Sequence, residues 1–433
     1  MMLGKGMVWI MSKKGKIEQT FEKNLQYFKF CSYGFLKNLQ FFEPFMLLIF
    51  LSKGLSYIEI GTLYAAREIS INILEIPSGV LADTMGRRMT MAFSFISYIG
   101  SFLIFYVASS FFLLFLAMVA FAFGEAFRTG THKAMIFEYL NRQGWNSQRT
   151  YYYGHTRAWS QRGSTVSALL AAVLVFWQGS YKSVFLFTII PYVLNLMLIL
   201  SYPKYLDGPQ RTSGETVSGS FRKVLRSLGS SLKNPKVMRT IANQSLYSGY
   251  YKACKDYLQP ILKTLALSLP VLLSLDDQKR TALLVGLVYA VMYSSTAFVS
   301  SRSGKFSQRF GQLATPLNLT MLVGISLGLL SGLFLHLTWV TAAVVLYLGI
   351  YVLENLRKPM GITYVTERMN QDSLASALSV ESQAESLVAA GIALLLGLFS
   401  TLFGVGLGIL VVSALCGLLA VLVWLPKEGP GKQ

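Results

Sequence analysis

Gly79-Val80-Leu81-Ala82-Asp83-Thr84-Met85-Gly86-Arg87-Arg88 puts one acid and two bases in a small-residue turn between two long apolar segments. Glycine allows a tight backbone turn and a close approach of helices. Asp83 stands four residues before Arg87, within pairing reach at a helix end. The loop gains weight from the second half of the chain, where Gly304 and Gly311 repeat the spacing of Gly79 and Gly86 at one offset (304 − 79 = 225, 311 − 86 = 225). The chain reads as a duplicated membrane protein.

Composition leads to the same class. Of 433 residues, 53% are hydrophobic and 14% charged, and the mean hydropathy of +0.49 is not that of a soluble globular domain. The formal charge of +19 falls in short gaps between apolar runs rather than on a polar domain, so it is read as membrane topology and lipid contact, with no nucleic acid partner. Cys31, Cys254 and Cys416 are odd in number and far apart, which excludes a disulfide framework and a metal spacing.

Runs near the length that crosses a bilayer predict twelve transmembrane helices, near 29–51, 56–82, 89–108, 111–140, 155–177, 180–201, 237–264, 281–302, 312–335, 338–368, 374–399 and 402–425. The second, fifth, seventh and eleventh are polar. The expected organisation is an amino-terminal segment (1–28), a six-helix bundle (29–201), a linker (202–236), a second six-helix bundle (237–425) and a tail (426–433). Within the linker, Phe221, Val224, Leu225, Leu228 and Leu232 recur at helical spacing among Arg222, Lys223, Arg226 and Lys233, the pattern of an interfacial amphipathic helix.

Bases collect on alternate gaps: Lys13, Lys14, Lys16 and Lys23, then Arg87 and Arg88, Arg142 and Arg149, the linker, Lys305 and Arg309, and Lys427 and Lys432. The positive-inside rule puts those gaps and both termini in the cytoplasm of a multi-pass plasma (inner) membrane protein. The exception is Lys263 to Arg280, where Asp276 and Asp277 offset Lys279 and Arg280. No secretory signal is expected at the amino terminus, and Met11 is an alternative start.

Glu125, Arg128, Glu138 and Asn141 match Glu354, Arg357, Glu367 and Asn370 at a single offset (354 − 125 = 229), and Phe42-Glu43-Pro44 resembles Leu258-Gln259-Pro260 at 216 (259 − 43). Parallel six-helix halves are the repeat logic of secondary carriers. With these features, the chain resembles the major facilitator superfamily over nearly its whole length. Gly79, Asp83, Gly86, Arg87 and Arg88 stand at positions of that family's loop signature. The resemblance implies an all-α fold of two pseudo-symmetric six-helix bundles, a major facilitator fold. It also implies a secondary active transporter, with Asp83 and Arg87 as a cytoplasmic clamp of the outward-facing state. Three departures stand out: Gln308 and Gln312 replace the acid and the base in the second copy, Ala120 stands where many proton-coupled relatives carry arginine, and the fifth helix lacks the Gly-Pro signature of drug antiporters.

In the family, helices 1, 4, 7 and 10 line the central cavity, and here they are charged. An intramembrane charge costs roughly 2.5 to 3.5 kcal/mol and persists when paired or solvated. Glu125, Arg128 and His132 share one stripe of helix 4, and Glu354, Arg357 and Lys358 repeat it on helix 10. Helix 7 carries Lys252, Lys255 and Asp256 before Pro260, and helix 1 carries Lys37 and Glu43 beside Pro44. A cavity with both signs and a basic excess suits an anionic or zwitterionic solute, with arginine as the fork for a carboxylate or phosphate.

Other readings of the same residues stand beside this one. Glu125 with Arg128, and Glu354 with Arg357, also read as internal ion pairs, and His132 as a hydrogen-bonded structural residue. Glu59, Arg67, Glu68 and Glu75 on helix 2, and Glu381 and Glu385 on helix 11, read as packing between the halves. Gly324, Gly328, Gly332, Gly404 and Gly408 read as small-residue packing faces. No Gly-Lys-Ser/Thr loop, nucleophile elbow or zinc cluster occurs, so neither an enzyme nor a cofactor is expected. A monomer is expected in the bilayer, with a small-molecule solute and a coupling proton or other ion as partners. The alternatives are a drug, amphiphile or lipid exporter of the same fold, and a non-transporting receptor or assembly factor.

Overall fold

The computed structural model of the chain describes residues 21–145, 148–208, 235–271, 273–366 and 371–426. The linker's amphipathic stretch, Glu367, Asn370, Lys13, Lys14, Lys16, Lys427 and Lys432 lie outside the described residues. Among the described residues every regular element is helical. The first half comprises α1 (Leu25–Lys37), α2 (Met46–Ser52), α3 (Tyr57–Met85), α4 (Arg87–Val107), α5 (Phe111–Arg128), α6 (Thr131–Arg142), α7 (Arg149–Gln178) and α8 (Val184–Leu200). The second comprises α9 (Pro235–Cys254), α10 (Leu258–Ser268), α11 (Asp277–Ser307), α12 (Ala314–His336), α13 (Val340–Thr366), α14 (Gln371–Phe403) and α15 (Val405–Leu422).

Caps and breaks follow from side-chain chemistry. Ser56 opens α3 through a capping box in which the Glu59 carboxylate accepts the Ser56 N–H at 2.8 Å. Glu59 therefore caps a helix rather than packing between the halves. Pro44, with no N–H to give, sits in the short turn Glu43–Phe45 between α1 and α2. The corresponding turn Lys255–Tyr257 separates α9 from α10, just before Pro260. Between α5 and α6, Thr129 is extended and Gly130 has φ 82°, a break that the expected single helix 111–140 does not contain.

Gly86 alone divides α3 from α4, at φ 90°, and a Cβ there would stand 3.1 Å from the Asp207 carboxyl carbon. Gly79 lies inside α3 with no atom within 4 Å of a Cβ, so the reading of both glycines as turn residues holds for one of them. Asp276 caps α11 by accepting the Lys279 N–H at 2.8 Å, which holds its carboxyl below the usual range. Arg280 donates to the Ala266 and Leu269 carbonyls at 3.0 and 2.7 Å, and the Lys279 ammonium lies 3.3 Å from Asp276, so these two bases of the exceptional gap are locally engaged.

Among the described residues seven segments are long and apolar enough to cross a membrane: Arg87–Val107, Phe111–Arg142, Asp277–Ser307, Ala314–His336, Val340–Val365, Ser379–Phe403 and Val405–Leu422. The remaining rods are broken (α1 with α2), short (α8) or polar (α3, α7, α9), which is why twelve expected helices yield seven by that measure. The three cysteines are free and buried, as packing residues should be.

Two sides are distinguished by the loops: a basic face with Gly86, Arg88 and the 201–208 segment, and an opposite face with Ser56, Ser110 and Thr401. The halves meet chiefly along α3 with α14 and α7 with α11. Near the opposite face this contact is backbone to backbone. A Cβ on Gly61 would lie 2.5 Å from the Ala393 carbonyl oxygen, and one on Gly286 would lie 2.2 Å from the Ala172 Cβ. The Ile58 N–H donates to Thr401 at 2.9 Å. Toward the basic face α3 and α14 are still joined where Asn72 donates to the Gln383 carbonyl at 2.8 Å. Beyond it, Gly79 of α3 and Gly304 of α11 have open space where a Cβ would be. The closest contacts of the seam therefore lie near the opposite face.

Candidate functional site

Helix breaks bring charges together at the middle of the seam. A cavity of about 350 Å³ lies there, between α1, α3 and α5 of one half and α9 and α14 of the other. Lys255, in the turn between α9 and α10, pairs across the seam with Glu43 in the turn between α1 and α2, at 3.1 Å. The same two turns are tied by Gln259, whose Oε1 accepts the Leu47 N–H at 2.8 Å and whose Nε2 donates to the Glu43 carbonyl at 2.9 Å. Glu43 and Gln259 are the duplicated positions of the sequence, so equivalent residues of the two copies meet across the pseudo-symmetry axis.

A second cross-seam cluster is centred on Lys252. Its ammonium lies 3.0 Å from Glu385 of α14 and 3.7 Å from Glu68 of α3, which also pairs with Arg67 at 3.0 Å. Sequence reasoning put Glu68 and Glu385 between the halves, and the geometry agrees. Arg67, Glu68 and Glu75 also line the cavity, as do Lys37, Glu125 and Asp256. Asp256 is 5% exposed and forms no ion pair among the described residues.

On α5, Glu125 accepts from the Tyr98 hydroxyl at 2.5 Å and pairs with Arg128, whose Nε donates to the same hydroxyl at 3.2 Å. This pair is an internal one that still borders open space. His132 stacks on Tyr33 with ring centres 3.6 Å apart, and its Nε2 lies 3.2 Å from the Tyr202 hydroxyl. These contacts fit the hydrogen-bonded structural reading.

The copy of this stripe on α13 is built differently. Arg357 is fully buried and away from the cavity. It donates to the Asn243 carbonyl at 2.9 Å, to the Asn243 side chain at 2.5 Å and to the Leu317 carbonyl. Glu354 accepts from Ser248 at 3.0 Å and makes no ion pair with Arg357 among the described residues. Arg357 therefore ties α9, α12 and α13 together, and neither member of the pair lines the central cavity.

In the signature loop, Asp83 is exposed and has no ion-pair partner among the described residues, so the Asp83–Arg87 pair read from the four-residue spacing is not formed. Arg88 instead pairs with Asp207 at 3.1 Å, and Asp207 also accepts the Arg88 N–H at 2.7 Å. Arg87 reaches the Ala134 carbonyl at 3.4 Å. Asp207 is the partner that sequence reasoning missed. The signal was a lone acid just beyond the last helix of the half, in Lys204-Tyr205-Leu206-Asp207.

Comparison with known proteins fits this architecture. The family model described as Major Facilitator Superfamily matches residues 30–380. The uncharacterized MFS-type transporter YxaM of Bacillus subtilis (strain 168) is 23% identical over 242 residues, which cover 55% of this chain and 59% of that protein. The chain thus aligns with somewhat over half the length of this curated relative. Among solved structures, a point mutant of the nucleoside transporter NupG superposes with a TM-score of 0.75 at 13% identity, over 92% of this chain and 98% of that one. A POT family transporter bound to a thioalcohol-conjugated peptide gives 0.70 at 12%, over 92% and 95%. A bacterial homolog of the human lysosomal transporter Spinster, in an inward-facing and unoccupied conformation, gives 0.66 at 16%, over 94% and 100%. At such identities these likenesses show the fold alone.

Proposed function

Because the chain belongs to the major facilitator superfamily, a family of membrane transporters rather than enzymes, we propose that it moves a small anionic or zwitterionic organic solute by alternating access through the cavity between its halves. The observation that supports this most directly is the pair of ion-pair clusters bridging the seam inside the cavity, Lys255 with Glu43 and Lys252 with Glu68 and Glu385. A charged group on a solute competes for either partner, so binding and separation of the halves become the same event. Arg128, which lines the space adjoining the central cavity rather than the central cavity itself, is the fork for a carboxylate or phosphate, with one guanidinium nitrogen already held by Glu125.

In this reading twelve helices cross a plasma (inner) membrane, the basic face and both termini are cytoplasmic, and the state described is open inward. The protein works as a monomer, and a gradient of protons, another ion or a second solute supplies the driving force. Asp83 and Arg87 act as a clamp in the opposite state, in keeping with the exposed Asp83, which has no ion-pair partner among the described residues. Asp83→Asn then enriches the inward-open form, and unchanged cysteine accessibility on the basic face would count against the clamp.

The test is a thermal-shift screen of anionic, zwitterionic and cationic metabolites on the purified protein beside Arg128→Ala, followed by counterflow in proteoliposomes. An anion or zwitterion that stabilises the parent but not the variant, and that exchanges across the bilayer, supports the proposal. Stabilisation by cations alone sinks it. Binding without counterflow favours a receptor, and movement of labelled lipid favours a lipid exporter.

A further inference from the structure

The first half contains a second cavity, of about 530 Å³, bounded by α1, the α5–α6 break and α7. It shares Lys37 and Thr129 with the central cavity and extends from them toward the basic face. Its lining includes Lys37, Arg128, Lys133 and Arg157, and among its described lining residues there is no Asp or Glu. Glu125 pairs with Arg128 from outside this lining. Lys37, Lys133 and Arg157 have no ion-pair partner among the described residues; the Lys133 ammonium rests near the Phe137 and Tyr153 rings, at 5.5 and 5.6 Å. Three uncommitted cations therefore share one concave space.

A further feature points to an anion. The twelve-residue α6 starts in this wall, with no side-chain cap, and Gly130 directs its first turn into the cavity. The amides of Thr131, His132 and Lys133 precede its first intrahelical bond, Ala134 N–H to the Gly130 carbonyl at 2.9 Å. Tyr33, a residue only 4% exposed, also lines the cavity, and its hydroxyl is buried near the Arg128 guanidinium. A free helix start and three cations without an ion pair exceed what one carboxylate can satisfy. A phosphate monoester, with nearly two charges and three acceptor oxygens, matches them.

We propose that this pocket binds the phosphate group of a soluble phosphate monoester. The close contact of α1 with α7 leaves no lateral opening between these two helices, which favours a soluble ligand over a lipid. A Cβ on Gly34 would lie 2.7 Å from Ser160 Oγ, and one on Gly163 would lie 2.5 Å from the Phe35 carbonyl oxygen. The inference deepens the transporter reading by naming a substrate class, and rests on it for the pocket's use but not for the binding itself.

The experiment titrates the full-length protein with inorganic phosphate, phenyl phosphate and benzoate at constant ionic strength, using calorimetry. Phosphate and phenyl phosphate should bind, and benzoate should bind at least about tenfold more weakly, since it forgoes charge-assisted bonds. The Lys133→Gln/Arg157→Gln double variant changes side chains outside the packed core and should lower phosphate affinity by about tenfold or more. Lys255→Gln in the central cavity should leave it unchanged. No phosphate binding by a monodisperse parent, equal binding by the double variant, or loss in Lys255→Gln would each overturn the proposal. A parallel arm compares nanodiscs with and without phosphatidic acid. Stabilisation by that lipid alone, lost in the double variant, overturns the soluble ligand in favour of a headgroup. Phosphate binding without flux of any solute upholds the pocket and counts against transport, so the two readings fail separately.

Discussion

Gly61→Ala places a methyl carbon 2.5 Å from the Ala393 carbonyl oxygen and 3.2 Å from the Gly397 Cα. Ordinary contact begins near 3.4 Å, so the fit is short by 0.9 Å (3.4 − 2.5). Both obstacles are backbone atoms of α14, and no rotamer change moves them. α3 and α14 must part near the opposite face, at a cost typical of overpacking, ~1–3 kcal/mol. That cost falls on the state described here and is absent from any state in which this seam is open. The open-seam population should therefore rise by about 5–150-fold. Spin labels at Ser109→Cys and Ser268→Cys, both exposed and on the opposite face of different halves, report the separation by pulsed dipolar spectroscopy. The three native cysteines are buried and take little label. A longer-distance component should appear, and Gly397→Ala, whose Cβ would meet the Tyr57 carbonyl at 2.6 Å, should produce the same one. A distribution identical to the parent in a well-folded variant would refute the rigid seam.

Three further outcomes are expected. Arg357→Lys cannot serve Asn243 and Leu317 together and should lose about 1.5–3 kcal/mol per charge-assisted bond, seen as a marked fall in melting temperature. Arg128→Ala, at the cavity edge, should fall much less. A double-mutant cycle with Glu43→Gln and Lys255→Gln should give a coupling of about 1 kcal/mol, and a value near zero would mean that the cross-seam pair contributes nothing. Asp207→Ala removes both Arg88 contacts and should speed tryptic cleavage in the linker, with the helical core left intact on gels.

The fold was legible because the signals that specify it are long: apolar runs, alternating basic gaps and a repeat carried by residue type. The signature loop was legible only in part, since Gly86 is its one turn residue while Gly79, Arg87 and Arg88 lie in helices. The site was legible only where chemistry is local. Glu125 and Arg128 lie three residues apart on one helix, and their pairing follows from the helical period. Glu354 and Arg357 have the same spacing, yet Arg357 turns to carbonyls of Asn243 and Leu317, whose positions depend on the packing of two other helices. Residue type repeats across the duplication, but environment does not. Thr129-Gly130 carried a signal that was available, a glycine amid the polar residues Arg128, Thr129, Thr131, His132 and Lys133, and reading it as a break would have pointed to the pocket between α1 and α7.

Gln259 has consequences for how fast the halves can part. In the closed seam it supplies the Leu47 N–H and the Glu43 carbonyl with partners that a broken helix cannot provide for itself. Pulling the seam open removes both partners at a depth where an unsatisfied backbone group costs several kcal/mol. Water must arrive as Gln259 leaves. The barrier to opening is then partly one of hydration, and excluded solutes that lower water activity should slow conformational exchange without occupying either cavity.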